Sequence, residues 1–224
     1  MFKIISYILD ILAKFPETDL KTKLREVLYQ EIISERIVEY PLVFSSLPGT
    51  PGKILDVGCR YSNLVLQTAS LGYNTYGIDL SPYPYTHPNL KILTGDIRNT
   101  KFKSGFFDCV TAISTIEHIG LGFYENSPRD EKGDLKSVNE IHRILNKKGR
   151  LIFSAPFGKS AVTLTYRVYD QDSLKQLFKK FKSCKYFYFY RNSKGNWLPT
   201  NLSGAKIVNS SHRVNAMVFA VCNK

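Results

Sequence analysis

Ile54-Leu55-Asp56-Val57-Gly58-Cys59-Arg60-Tyr61-Ser62 is the stretch that decides the fold predicted for this chain. Its apolar beginning is typical of a buried parallel strand. Gly58 has no Cβ, so the backbone can turn sharply there and approach a ligand closely. Asp56 stands at the carboxyl end of the strand, where open α/β sheets bind their ligands. Since a carboxylate would repel the phosphate held by dinucleotide-binding turns, the stretch favours a cationic ligand.

Further short apolar segments follow at the spacing of a βαβ sheet, at residues 74–79, 90–97, 107–113 and 150–154. Two of them contain strand-end acids, Asp79 and Asp96. Asp79 follows Asp56 at close to the spacing of about 20 residues at which an acidic group reaches ribose hydroxyls in nucleotide-binding units. Each acid alone could instead form a turn or cap a helix. Three strand-end acids in one pattern indicate a ligand site.

Together these motifs resemble class I S-adenosylmethionine-dependent methyltransferases, strongly over residues 53–156. The resemblance implies S-adenosylmethionine as the cofactor and a set of residues that bind it. These are Asp56, Gly58 and Cys59 at the methionine part, Asp79 at the ribose hydroxyls with Leu80 beside it, Asp96 and the Ile97 amide at the adenine edge, and Ser114 and Thr115 on the methyl side. The Cys59 side chain is expected to pack rather than to act as a nucleophile.

The loop departs from the family's commonest pattern at two positions. Arg60 and Ser62 stand where two further glycines are usual. The Arg60 side chain needs space, and we expect it to be solvated or salt-bridged. The phrase AISTIEHIG at residues 112–120, with the helix that follows it, resembles an uncharacterised subgroup often associated with glycan biosynthesis. That subgroup tolerates loss of these glycines.

The pattern predicts a Rossmann-like, doubly wound α/β fold. We expect seven strands, mostly parallel with one antiparallel strand near the edge, and helices on both faces. The last two strands are predicted at 185–190 and 214–221, with a helix at 171–181 capped by Asp170 or Asp172.

Residues 1–48 are predicted as an N-terminal helical segment and residues 49–224 as the methyltransferase domain. Apolar side chains recur at helical spacing over residues 19–38. We expect this helix to pack on the sheet or cover the cofactor, with a partner-binding or membrane-surface helix as the alternative. Residues 1–10 carry charge too early for a membrane-spanning helix and lack a clean signal-peptide core.

Charge and cysteine content restrict the class of protein. The formal net charge is +12, and no acidic residue follows Asp172. This imbalance suits an anionic partner, such as an acidic sugar, a lipid surface or nucleic acid, or else a solvated basic face.

The cysteines, at positions 59, 109, 184 and 222, are widely spaced without a CxxC pair. Their spacing favours a reducing cytoplasm and argues against a zinc site or disulfide framework. No metal is predicted.

His118 is the best candidate for a catalytic base because it follows the fourth strand, near the switch point of the sheet. The ordinary pKa of histidine, about 6.5, suits proton transfer near neutrality. Glu117 could orient it. The alternatives are that His118 only positions the cofactor or satisfies a core hydrogen bond. His142 is expected to be structural.

Three long loops are predicted to select the substrate, at residues 120–134, 157–169 and 192–213. Their candidate substrate-binding residues are Tyr124, Arg167, Tyr169 and Trp197, where the arginine could clamp an anion and the aromatic rings could stack on a sugar.

The predicted function is methyl transfer to a small-molecule or glycan-linked acceptor, possibly anionic, at a hydroxyl. Nucleic-acid methylation and a non-catalytic binding protein are the alternatives. The sequence does not specify the oligomeric state.

Overall fold

The computed structural model describes residues 18, 34–124 and 127–224. Its main compact unit is Val38–Lys224. The helix predicted over residues 19–38 and the amphipathic segment 1–10 lie almost wholly outside the described residues. The first described helix runs over Arg36–Ser46 and buries Val43 in the compact unit.

The α-helices of the described residues are α1 (Arg36–Ser46), α2 (Leu64–Ser70), α3 (Gly133–Ile144), α4 (Gln171–Leu177) and α5 (Leu202–Ala205). The strands are β1 (Lys53–Val57), β2 (Asn74–Asp79), β3 (Leu90–Thr94), β4 (Phe107–Ile113), β5 (Leu145–Pro156), β6 (Ala161–Val162), β7 (Arg167–Val168), β8 (Ser183–Arg191), β9 (Trp197–Thr200) and β10 (Ala216–Asn223). Short 3-10 helices at Cys59–Tyr61 and Ile116–His118 follow β1 and β4.

The main sheet has the order β3-β2-β1-β4-β5-β10-β8-β9. Strands β3 to β5 pair in parallel, and β10 runs antiparallel to both of its neighbours. This is the antiparallel strand expected near the edge. The order reverses direction between β1 and β4, which places the switch point of the doubly wound fold there.

The predicted count of seven strands is wrong, because the sheet of the described residues has eight. The additional strand is β9, which pairs antiparallel with β8 inside the stretch predicted to be a loop. Its Pro199 argues against a strand in the middle of a sheet, since proline cannot donate a ladder hydrogen bond. An edge strand tolerates it, and β9 is the edge.

Helices cover both faces of the sheet, as predicted. On one face, Leu55 and Val110 belong to a core that includes Val138 of α3 and Leu174 of α4. On the other face, a second core joins strand residues to α1 and α2, with members Val43, Ile54, Leu64 and Cys109. Alternate residues of β1 and β4 therefore face opposite cores, as the two-residue period of a strand requires.

The C-terminal elements follow the prediction with shifted bounds. Asp170 caps α4 with a capping box, in which its side chain accepts from the Ser173 amide. The prediction that Asp170 caps this helix is thus confirmed, although the helix ends at Leu177 instead of residue 181. The predicted loop 157–169 contains the short β6–β7 hairpin, in which Ala161 pairs with Val168.

The expectation that the cysteines form no disulfide is wrong for one pair. Cys184 and Cys222 are direct cross-strand partners in β8 and β10, with Cα atoms 4.0 Å apart, and they are bonded. Cys59 and Cys109 are buried free thiols. Spacing along the chain could not reveal this pair, because the register of two antiparallel strands brings together residues 38 positions apart.

Candidate active site

The candidate site lies at the carboxyl ends of β1, β2 and β4, where the strand order reverses. Asp56 lies near the end of β1 and Gly58 follows that strand, Asp79 ends β2, and Ser114 follows β4. Asp56 pairs with Gly77 in the β1–β2 ladder, so the predicted methionine and ribose residues lie on adjacent strands.

The turn after β1 requires glycine for two reasons. Gly58 has φ 78°, in the left-handed region that side chains disfavour. A Cβ there would also lie 2.5 Å from Cγ2 of Thr115. The Thr115 side chain is held in place because its Oγ1 donates to the Val57 and Ile113 carbonyls, at 3.1 and 3.0 Å. The ends of β1 and β4 are thereby tied together across the switch point.

We predict that Gly58→Ala lowers the free energy of unfolding by about 2–3 kcal/mol, since it adds left-handed backbone strain to overpacking against Thr115. Gly72→Ala is the matched control. Gly72 has φ 88° but open space around its Cβ position, so only strain of about 1 kcal/mol is expected. Urea denaturation of both variants measures the difference. Equal costs would contradict the contact with Thr115.

The carboxylates of Asp56 and Asp79 are both held by hydrogen bonds within the domain. Asp79 Oδ2 accepts from the Arg60 amide and Oδ1 from the Ser81 amide, each at 3.0 Å. Asp56 is buried, and its Oδ1 accepts from Thr111 Oγ1 at 2.6 Å. Because a carboxylate offers about four acceptor sites, these contacts orient Asp79 while leaving it capacity for two ligand hydroxyls.

The two residues that replace glycines fit the loop. The Arg60 guanidinium lies over the exposed Tyr61 ring, with Cζ 5.3 Å from the centroid. Only its backbone amide faces Asp79. Ser62 Oγ accepts from the Leu64 amide at 3.0 Å and so supports the beginning of α2. Both side chains therefore have a place in the loop, and Arg60, expected to be solvated or salt-bridged, lies against the Tyr61 ring.

Tyr83 is part of the site, although the sequence did not single it out. Its hydroxyl donates to the Ser62 carbonyl at 3.0 Å. Burial, then the neighbouring Cys59 and Asp56, raises the pKa of Tyr83 to about 12. The phenol therefore stays protonated at neutral pH and remains a donor that holds the segment after β2 against the loop after β1.

His118 is held in one tautomer by the β6–β7 hairpin. Its Nδ1 donates to the carbonyl of Thr165, in the turn of that hairpin, so the lone pair of the neutral ring is on Nε2. Nε2 lies 3.8 Å from Oε1 of the buried Glu117. The two residues named together from the sequence therefore lie side by side.

Both the sequence around this site and the fold are similar to those of known proteins. Residues 55–153 match the family model described as a methyltransferase domain. This region of the chain is similar to a methyltransferase domain. Its predicted resemblance to class I S-adenosylmethionine-dependent methyltransferases is thus confirmed.

An uncharacterized protein of Methanocaldococcus jannaschii is 32% identical over 101 residues. The match covers 44% of this chain and 38% of the length of that protein.

Solved structures share the fold of the methyltransferase domain. A SAM-dependent methyltransferase from Archaeoglobus fulgidus superposes with a TM-score of 0.60 at 12% identity, covering 85% of this chain and 95% of that one. Phosphoethanolamine N-methyltransferase 2 of Haemonchus contortus, in complex with S-adenosyl-L-methionine, has a TM-score of 0.58 at 15% identity, with 83% and 52% covered. The 1,6-didemethyltoxoflavin-N1-methyltransferase of Burkholderia thailandensis has a TM-score of 0.52 at 12% identity, with 84% and 76% covered.

The residues present in the methyltransferase domain fit S-adenosylmethionine. Two strand-end carboxylates, Asp56 and Asp79, suit an ammonium group and a pair of ribose hydroxyls, respectively. Cys59 contributes packing, since its Sγ lies 2.8 Å from where a Cβ on Gly77 would be. Burial raises the pKa of the Cys59 thiol, which keeps it protonated at neutral pH and suits a packing role. Leu80 is half-buried directly after Asp79.

Asp96, predicted to bind the adenine edge, forms an ion pair with Arg98 in the structure. Both of its carboxylate oxygens accept from Nε of Arg98, at 3.0 and 2.9 Å. Burial opposes ionisation, but the hydrogen bonds and charge of Arg98 outweigh it and lower the pKa of Asp96. The Ile97 side chain is buried in the core. Any adenine contact at this edge would share the Asp96 carboxylate with Arg98.

Of the four predicted substrate-binding residues, one is exposed at the edge of the site and three are buried. Tyr124 is 46% exposed, and its ring centroid lies 5.4 Å from that of His118. Tyr169 and Trp197, which the sequence offered for stacking on a sugar, are core residues of the two faces. The Tyr169 hydroxyl donates instead to Asp134.

Arg167 is likewise structural. It is buried, and Nη1 donates to the carbonyls of Glu117 and Ile119 at 3.2 and 2.8 Å. Its Nε lies 3.6 Å from Asp134. The arginine predicted to clamp an anionic substrate thus directs these donors to the segment that carries His118.

Two features are absent from the described residues. No helix there has the length and apolar content needed to cross a membrane. The same residues contain no cluster of three or more His, Cys, Asp or Glu side chains that could ligate a metal ion.

Proposed function

We propose that the protein transfers a methyl group from S-adenosylmethionine to a hydroxyl of a small-molecule or glycan-linked acceptor. The observation that supports it best is the geometry of His118, whose Nδ1–H bond to Thr165 puts the basic lone pair on Nε2. That ring belongs to the short 3-10 helix after β4, at the same edge of the sheet as Asp56 and Asp79.

Bound S-adenosylmethionine supplies a methyl group already activated by the sulfonium. The chain then has to align an acceptor and remove its proton. Asp79 and the loop after β1 would hold the cofactor, while Ser114 and Thr115 would border its methyl side. His118 would take the acceptor proton on Nε2. The carboxylate of Glu117, 3.8 Å away, would stabilise the resulting imidazolium.

The acceptor is proposed to be anionic. No acidic residue follows Asp172, and the net charge is +12, so the C-terminal part of the domain favours negative ligands. Two structural neighbours are named for the small molecules on which they act, phosphoethanolamine and 1,6-didemethyltoxoflavin, which supports a small acceptor here.

Calorimetric titration of the full chain with S-adenosylmethionine and S-adenosylhomocysteine tests the proposal. Micromolar or tighter binding of either is expected. Formation of S-adenosylhomocysteine is then followed with phosphorylated sugars, acidic sugars, phosphoethanolamine and a short RNA as acceptors. Absence of binding would overturn the proposal, and turnover with the RNA alone would transfer it to nucleic acid.

A further inference from the structure

Three aliphatic side chains near the candidate site are strongly exposed. Val162 and Leu164 of the β6–β7 hairpin are 71% and 78% exposed, and Ile207, shortly after α5, is 66% exposed. The two segments adjoin, because the Lys159 amide donates to the Val208 carbonyl at 2.9 Å. Single exposed aliphatic residues need no explanation, but a group of them on adjoining segments indicates a binding surface. We call Val162, Leu164 and Ile207 the hairpin patch.

Hydrogen bonds fix the turn that carries Leu164. Thr163 Oγ1 accepts from the amides of Thr165 and Tyr166, at 3.2 and 3.0 Å, and the Thr163 amide donates to the Tyr166 carbonyl at 2.9 Å. The Tyr166 hydroxyl donates to the Ser210 carbonyl at 2.7 Å and so ties the turn to the segment after α5. An ordered turn therefore holds Leu164 in water, although burying a large aliphatic side chain is favourable.

The chain around the hairpin patch is basic. Residues 157–169 and 201–215 contain no acidic residue. Three basic residues of these stretches, Lys159, Lys206 and Arg213, are exposed. Apolar side chains beside lysine and arginine are the combination with which proteins bind the surface of an anionic bilayer.

We infer that the hairpin patch docks the protein on an anionic membrane surface. The aliphatic side chains enter the boundary between headgroups and acyl chains, and the neighbouring lysines contact the lipid phosphates. A protein partner fits the patch less well, because the residues that dominate binding between proteins are mostly tryptophan, tyrosine and arginine, whereas leucine and valine are under-represented.

Docking of this kind brings the candidate site to the lipid headgroups. The turn that carries Leu164 also contains the Thr165 carbonyl, which accepts from Nδ1 of His118. The inference goes beyond the proposed function and does not depend on it, since vesicle binding needs neither cofactor nor acceptor. Where both hold, an acceptor carried on a lipid would reach His118 from the membrane.

Co-sedimentation of the full chain with vesicles tests the inference. Vesicles of phosphatidylcholine with about one third phosphatidylglycerol are compared with vesicles of phosphatidylcholine alone. We expect about tenfold stronger binding to the anionic vesicles. Binding should weaken as salt is added, because salt screens the attraction between exposed lysines and lipid phosphates.

Paired substitutions of the aliphatic residues locate the binding surface. A Val162→Ser and Leu164→Ser double variant is expected to bind the anionic vesicles about tenfold more weakly. Leu71→Ser is the control. Leu71 is also exposed, but it ends α2 and leads into the beginning of β2, at the opposite edge of the sheet. Its substitution should leave vesicle binding unchanged.

A second pair of variants tests the charges. Lys159→Gln with Lys206→Gln is expected to weaken binding about tenfold. Lys147→Gln with Lys148→Gln removes the same charge from exposed residues at the beginning of β5, again at the opposite edge of the sheet, and should have little effect. Thermal unfolding of each variant verifies that it is folded.

The outcomes separate the inference from the proposed function. No binding of the unaltered protein to anionic vesicles, or unchanged binding of the folded Val162→Ser and Leu164→Ser variant, would overturn the inference alone. A dimer detected by light scattering that Leu164→Ser dissociates would also overturn it, since the patch would then join two copies of the chain. Failure to bind S-adenosylmethionine would overturn only the proposed function.

Discussion

Asp79→Ala is expected to weaken S-adenosylmethionine binding by about a thousandfold. Hydrogen bonds to a charged group contribute about 1.5–3 kcal/mol each, and two ribose hydroxyls would be lost together, for about 4 kcal/mol in all. The existing contacts of the carboxylate, to the amides of Arg60 and Ser81 at 3.0 Å, preorganise it for this role. Calorimetric titration of the full chain measures the change.

Two further variants make the Asp79 result specific. Asp79→Asn keeps an acceptor but loses the charge, so an intermediate loss of affinity is expected. Asp172→Ala removes a carboxylate that is 90% exposed on α4 and is expected to leave the affinity unchanged. Thermal unfolding of each variant shows whether the loop remains folded. Affinity within about twofold of the original in a folded Asp79→Ala protein would rule out the ribose contact.

The local pattern of the sequence was sufficient to predict the central strands and their acidic ends. Asp56, Gly58 and Asp79 were predictable because each combines a strand end with a residue type that a cofactor loop requires. Such information lies within a few neighbouring residues, which is why the parallel half of the sheet was predicted in its correct order of elements.

Long-range pairing was beyond the sequence pattern. The Cys184–Cys222 disulfide depends on the register of two antiparallel strands, and the hydrogen bond from Ser114 to Glu39 depends on where α1 packs. Trp197 and Arg167 were assigned to substrate because they stand in stretches without a helical or strand period. The structure buries both, since an irregular segment can still contribute a short edge strand or a structural arginine to the core.

His118→Asn is expected to lower kcat for a hydroxyl acceptor by about a thousandfold, within the range of about 10²–10⁴ that a general base contributes. Asparagine places an amide nitrogen near the position of Nδ1, so the hydrogen bond to the Thr165 carbonyl can persist while the basic nitrogen is lost. Affinity for S-adenosylmethionine is expected to stay within about threefold, because the change affects proton removal and not the cofactor loop. The rate of S-adenosylhomocysteine formation with the acceptor from the screen measures kcat.

His142→Asn, on the face of α3 that packs against Phe181, is the control and should retain activity. If His118→Asn retained full turnover, the acceptor would need no base from the protein, and an acceptor nitrogen that is already deprotonated would replace the hydroxyl in the proposed reaction.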